Sequence, residues 1–259
     1  MKTTRSLIVL TAIFCAAFSP RLFGQGYYWE STISGGPAGE QTVKNYMMPK
    51  LFKVVQTGTG QGTIITNLQK KIILRVHDAD KTYSEMTFAE MEAAMKKMGG
   101  QADAKMEELQ AKMKEMPEEQ RKMMEKMMGP MAGGGGAVEV KKSEETKTIA
   151  GHPCTKFEIV QGERTIMTIW ATKDLKGFGT MRTDWEELSR RMTEQMPGQM
   201  GKGIAAGMKK IDGFPMQTEI GPMISTVTKI EQRSTPASAF EAPAGYKKIN
   251  EPLFEKKPD

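Results

Sequence analysis

Apolar and polar positions alternate with a period of two over residues 27–83, in short runs cut by turn residues. Residues 27–33, rich in aromatic and β-branched side chains, predict a first strand, and Gly35-Gly36-Pro37 supplies turn chemistry. Strand-like runs follow at 43–46, 51–56, 62–66 and 71–76. Their connectors are Met47-Met48-Pro49-Lys50, Gly58-Thr59-Gly60 and Asn67-Leu68-Gln69-Lys70. Repeats of roughly ten residues with turns between them predict an antiparallel meander. Asp78-Ala79-Asp80-Lys81 then turns into Thr82-Tyr83, a further short strand.

The period next changes to 3.6. Thr87 followed three positions later by Glu90 is a capping box, opening a helix with Phe88, Met91, Met95 and Met98 on one face. Gly99-Gly100 is expected to end it. A second helix from Ala102 aligns Met106, Leu109, Met113 and Met116. Pro117 either kinks that helix or begins a third, which carries Met123, Met124, Met127 and Met128. Glu92/Lys96, Glu108/Lys112 and Glu118/Lys122 are i,i+4 pairs with the acid first, the favourable order on an exposed helix. Residues 86–136 therefore read as a helical insertion closed by the linker Gly133 to Gly136. The stretch from 84 to 131 holds 12 of the chain's 23 methionines, so the insertion is apolar through a flexible thioether.

Strand patterns resume at 138–142, 146–149, 155–160 and 165–171, the last two joined by Gln161-Gly162-Glu163-Arg164. A second capping box, Thr183 with Glu186, predicts a helix carrying Trp185, Leu188, Met192 and Met196 and stopped by Pro197-Gly198. Residues 199–210 read as a loose helix or a mobile loop. A closing hairpin spans 215–220 and 224–232 across Gly221-Pro222, and the charged tail 250–259 is expected to fray. The class is α+β, with an antiparallel sheet.

The first 24 residues change the picture of where this protein works. Lys2 and Arg5 precede an apolar run from Leu7 to Phe18, and Leu22-Phe23-Gly24 offers a cleavage site before Gln25. That run is short of the roughly 20 residues a spanning helix needs. A cleaved signal peptide and a periplasmic or secreted protein with no transmembrane span are expected. A lipoprotein reading would modify Cys15, but bulky Phe14 precedes it where a small residue belongs. Loss of Lys2, Arg5 and Arg21 with the leader takes the net charge from +6 to +3, with the remaining charges interleaved. No nucleic-acid footprint is present. Cys154 alone remains, so no internal disulfide forms, and burial as a small hydrophobe is its ordinary fate.

Candidate chemistry is sparse. The two histidines, His77 and His152, belong to no metalloprotease, P-loop or nucleophile-elbow pattern, so no catalytic residue, enzyme activity or cofactor is expected. His77-Asp78-Ala79-Asp80 reads as a polar turn. Gly58-Thr59-Gly60-Gln61-Gly62 precedes a strand, without the helix terminus a phosphate loop uses. His152 and Cys154 supply only two soft-metal ligands, so no metal site is assigned. The methionines admit three roles: helix packing, a yielding apolar surface for lipid or partner, and Cu(I) binding by soft thioethers.

Several motifs recur in one order. Thr63-Ile64-Ile65 leads to Lys70-Lys71-Ile72-Ile73 and Asp80-Lys81-Thr82-Tyr83. Ile149-Ala150-Gly151-His152-Pro153-Cys154-Thr155-Lys156-Phe157 is followed by Ile169-Trp170-Ala171, Asp212-Gly213-Phe214-Pro215 and Phe240-Glu241-Ala242-Pro243-Ala244-Gly245-Tyr246. This set resembles the secreted bacterial domain-of-unknown-function family 4412, similar in layout to periplasmic lipoprotein carriers and outer-membrane lipoprotein receptors. The resemblance implies one domain over 25–249, interrupted by the insertion: a curved antiparallel sheet, an open half-barrel, wrapped over helices around an apolar cavity. The expected function is non-enzymatic binding of an apolar ligand, a lipid or a lipid-bearing partner in that cavity. Phe157, Ile159, Met167, Ile169 and Trp170 are its candidate lining. Met91, Met95, Met123 and Met127 are candidates for a lid or partner surface. The alternatives are an envelope interaction module that docks through the methionine helices, and Cu(I) binding by them.

Overall fold

Among the described residues, twelve strands join in one large, curved, unclosed sheet, and helices pack on one of its faces. The computed structural model describes residues 26–37, 39–58, 62–114, 116–120, 138–194 and 198–250, and the elements named below are those among these residues. The first run comprises β1 (Tyr27–Ser34), β2 (Gln41–Met48), β3 (Leu51–Thr57), β4 (Gly62–Asn67), β5 (Ile72–His77) and β6 (Thr82–Thr87). α1 (Phe88–Lys114) follows, then β7 (Val138–Ile149), β8 (His152–Gln161) and β9 (Arg164–Thr172). After α2 (Gly179–Glu194) and α3 (Gly198–Met208) come β10 (Phe214–Ile220), β11 (Met223–Gln232) and the two-residue β12 (Lys247–Lys248). The order across the sheet is β12-β6-β5-β4-β3-β2-β1-β11-β10-β9-β8-β7. Both meanders are antiparallel and meet where β1 pairs with β11; only β12 runs parallel to its neighbour. Strands from both sides of α1 thus share one sheet.

The helices depart from the sequence expectation at their ends. The Thr87–Glu90 capping box is present: the Thr87 amide donates to Glu90 Oε2 at 2.8 Å and the Glu90 amide to Thr87 Oγ1 at 3.2 Å. The Thr87 amide and hydroxyl, both donating to the Glu90 carboxyl, hold it below its ordinary pKa. Gly99-Gly100 does not end the helix, which continues unbroken to Lys114. A glycine pair weakens a helix by about 1 kcal/mol per residue, but a stop needs a left-handed residue and its capping bonds, and Gly100 takes no such φ. The second box fails as well. α2 begins at Gly179, Thr183 lies inside it, and Glu186 pairs with Arg182 at 2.7 Å instead of capping. Residues 198–208 are helical, seated by buried Ile204 and Ala205. The runs 138–142 and 146–149 are one strand carrying a bulge between Lys142 and Thr146. Charge and a bulge on β7, the open edge, oppose edge-to-edge pairing. Residues 118–120 are helical after Pro117, where a third helix was expected to begin, and residues 121–137, with its remainder and the glycine linker, lie outside the described residues.

Strand pairing sorts side chains by face, because residues opposite one another share a side. One rung of the inner face, the one the helices cover, runs Tyr27–Met47–Phe52–Thr66–Ile73–Met86. Its first five members are buried beneath Phe88 and Met91 of α1. At the join of the two meanders, Trp29, Phe178, Trp185 and Phe214 stack edge to face. Asp184, buried on α2, accepts the Lys50 amide at 2.8 Å and pairs with the Lys50 ammonium, tying the helix to the β2–β3 turn. α3 lies so close to β7 that a Cβ on Gly203 would come within 2.3 Å of Val138.

The outer face of β3–β6 is covered by the chain's own end. Phe240, in a 3₁₀ turn at Ala237–Phe240, packs on Met48, Ile65, Leu74 and Val76. The Lys247 amide then donates to Lys81 O at 3.0 Å, the Ile249 amide to Tyr83 O at 2.8 Å, and the Tyr246 hydroxyl to Asp78 at 2.8 Å. This strap makes β12 and shields the β6 edge.

Candidate functional site

The sequence placed the ligand site at β8 and β9. Phe157 faces Ile169 and Ile159 faces Met167 across that pair, all four on the inner face and at most 5% exposed. Ile204 and Met208 of α3, with Ile211 just beyond it, fill the space against them. Trp170 points the other way, since adjacent strand residues alternate. It sits in the rung Lys156–Trp170–Gln217 on the outer face, with the Lys147 ammonium 3.9 Å from its ring centroid. The five residues therefore do not line one cavity. Four pack in one cluster under α3, and Trp170, also buried, belongs to the main core cluster with Cys154 and Phe214 while Lys147 lies over its ring.

The methionine candidates divide similarly. Met91 is 2% exposed and part of the main core rather than an external surface, and Met95 packs partly buried against it. Glu92 meets Arg191 of α2 at 3.0 Å, and that guanidinium lies 4.6 Å over the Phe88 ring. The first turns of α1 thus cover the inner face beside α2. Met123 and Met127 lie outside the described residues.

What sequence reasoning missed is the part of the inner face that the helices leave uncovered. One rung beyond the buried Tyr27–Met86 row lies Trp29–Asn45–Val54–Ile64–Arg75–Ser84. It begins under Trp185 at Trp29, which is 6% exposed, and emerges at Ile64, which is 45% exposed. Val54 and Arg75 flank Ile64 half-buried. The chain offers a signal for this: Ile64-Ile65 is apolar on both faces, so each side of β4 requires its own cover. Ile65 finds it under the strap, whereas Ile64 has none among the described residues.

Two grooves adjoin the helices. One of about 30 Å³ lies between α2 and α3, beside Trp185 and Ile211. Another, of about 230 Å³, opens near the start of β8 and is bordered by Cys154, Ala171 and the candidate residue Phe157 together with Lys142, Lys173 and Asp212. Both are smaller than the roughly 300 Å³ at which cavities for a drug-sized ligand begin. Asp212 accepts from Lys173 and Arg182, which hold its carboxyl below the ordinary range. His152 Nδ1 stands 3.4 Å from Asp174. Among the described residues no three potential ligands converge as a metal site.

Cys154 is 1% exposed, and its thiol donates to His152 O at 3.4 Å. Burial pushes its pKa up. The native state therefore holds the thiol proton more tightly than the unfolded chain, so this stabilisation is complete below about pH 8.5. It is lost as pH rises through the higher folded value. An aromatic disulfide reagent is expected to modify Cys154 at least about 100-fold more slowly in buffer than in denaturant. Equal rates would show that the thiol is accessible.

Residues 134–246 match the family described as Domain of unknown function (DUF4412), in agreement with the resemblance carried by the motifs. No curated protein matches the chain. Among solved structures, an uncharacterized conserved protein from Thermus thermophilus is similar at TM-score 0.44 and 7% identity, covering 87% of this chain and 90% of that one. PNGF-II gives 0.37 and 10%, covering 87% and 31%. The Pseudomonas aeruginosa MucA/MucB complex gives 0.37 and 7%, covering 87% and 58%. The chain thus spans about a third of the PNGF-II chain and somewhat over half of the chain matched in that complex. All three scores fall below about 0.5, too low for a likeness to carry function. No described helix is long and apolar enough to cross a membrane.

Proposed function

We propose that this chain, whose residues 134–246 match the DUF4412 family, is an exported, non-enzymatic binding protein. It takes an apolar ligand or a lipid-bearing partner on the uncovered inner face of β2–β5. The observation that carries this reading is Ile64, 45% exposed on a sheet face that is otherwise packed under helices. Val54 extends the apolar surface, so an acyl chain is complementary. Packing of Phe157, Ile159, Met167 and Ile169 against Ile204 and Met208 of α3 supports a site farther along the sheet.

Native mass spectrometry of the protein recovered from its own compartment tests this. Bound lipid-sized mass is expected, reduced roughly tenfold or more by Ile64→Glu, since a charge there meets any apolar ligand unpaired. Ile64 is exposed enough for the variant to fold. Detection of the unliganded mass alone would refute the reading.

A further inference from the structure

The sheet is electrically polarised along its strands. The β2–β3 and β4–β5 turns lie at one end, with the β9–α2 loop and the end of α3. Hydrogen bonds tie these segments together. The Leu68 amide donates to Lys50 O at 2.9 Å, Lys50 pairs with Asp184 of α2, and the Tyr27 hydroxyl donates to Lys176 O. Arg182 reaches from α2 to Asp212 at 2.9 Å, just beyond α3. Lys70, Lys71, Lys176, Lys209 and Lys210 are exposed at this end and make no ion pair with any described residue. The acids nearby are engaged: Asp184 by Lys50, Asp212 by Lys173 and Arg182, Asp174 beside His152. The opposite end carries Glu40, Asp78, Asp80 and Glu163 in its turns, against Lys81 and Arg164.

We propose that the lysine-bearing end is a docking surface for the anionic headgroups of a phospholipid membrane. It is separate from the inner-face binding surface and does not depend on it. The side-chain chemistry selects this occupant. Ammonium groups are strongly hydrated point charges on flexible stems, suited to a diffuse field of negative charge. Discrete phosphates or carboxylates favour arginine forks. The arginines here are occupied, Arg182 with Glu186 and Asp212, and Arg233 over the Tyr28 ring. Single-stranded nucleic acid would require exposed aromatic platforms between the cations, and Tyr27, Tyr28 and Phe178 are all buried. The exposed large apolar residues Ile64, Ile220 and Met223 lie elsewhere, so attachment at this end is electrostatic, without insertion.

Cosedimentation with vesicles of phosphatidylglycerol and phosphatidylcholine in about equal parts tests the proposal, with the full chain freed of its leader. Binding is expected at about 50 mM salt and should be lost at about 500 mM, where charge is screened over a few ångströms. Phosphatidylcholine vesicles alone should bind nothing. Replacing Lys70, Lys71, Lys209 and Lys210 by Glu should weaken binding by roughly 100-fold or more, each lysine near the surface contributing about a factor of five to ten. Replacing Lys81, Lys96, Lys97 and Lys141 by Glu makes the same change in net charge elsewhere and should leave affinity within about threefold. All eight side chains are exposed, and circular dichroism would verify that both variants are folded. Equal binding to neutral vesicles, equal loss in both quadruple variants, or absence of binding at low salt would overturn the proposal. So would binding only to a soluble acidic protein or nucleic acid.

Discussion

Replacing Phe214 by alanine is expected to lower the free energy of unfolding by about 3–5 kcal/mol, as for other large-to-small changes in a packed core. Phe214 is 2% exposed at the start of β10, where the two meanders and α2 meet. Its ring centroid lies 5.3 Å from Trp29, 5.2 Å from Phe178 and 5.5 Å from Trp185. The first two contacts are edge to face, and such pairs add about 0.5–1.5 kcal/mol beyond the area they bury. Of the three rings that border the gap, Trp29 is held on both sides, paired to Asn45 and to Ile230. Urea unfolding followed by tryptophan fluorescence would show a lower midpoint with an unchanged m value. A loss below about 1 kcal/mol would mean that the cluster relaxes around the gap, and that Phe214 does not hold the meanders together.

The strands were legible because alternation and turn residues coincide, and each turn lies close to where the sequence put it. Helix ends were less so. Gly99-Gly100 and Thr183–Glu186 both have the composition of a helix boundary, but boundaries depend on backbone conformation and on competing partners. Arg182 offers Glu186 a salt bridge one turn away, and this wins over capping. The cover over β8–β9 was hidden for a related reason. An apolar run such as 155–160 or 165–171 announces burial, but not whether a helix or a ligand supplies the cover. The decisive event is α3, a glycine-containing segment read as loose helix or loop, which seats Ile204 on β8–β9. The strap was hidden too. Phe240 and Tyr246 were legible as a motif, yet only long-range pairing places them over Ile65 and Leu74 and leaves Ile64, on the other side of the same strand, uncovered.

Gly213→Ala is expected to be comparably damaging, at about 3–5 kcal/mol, through two independent causes. Gly213 has φ +131°, a conformation that residues with a Cβ rarely adopt. Forcing such a residue there costs about 1–3 kcal/mol. In addition, its Cβ would lie 2.5 Å from Thr172 O. That carbonyl cannot swing aside, because Thr172 is 1% exposed and pairs with Phe214 in the β9–β10 register. Gly213 therefore lets the chain leave α3 and enter β10 against β9, and a misplaced Phe214 would disturb the aromatic cluster as well. Gly151→Ala separates the two causes: Gly151 has φ +83°, and nothing lies within 4 Å of a Cβ built there. It should show the conformational cost alone. The difference in thermal midpoint between the two variants then measures the close approach at Thr172. Equal midpoints would remove that contact from the account and leave backbone conformation as the whole reason for glycine at 213.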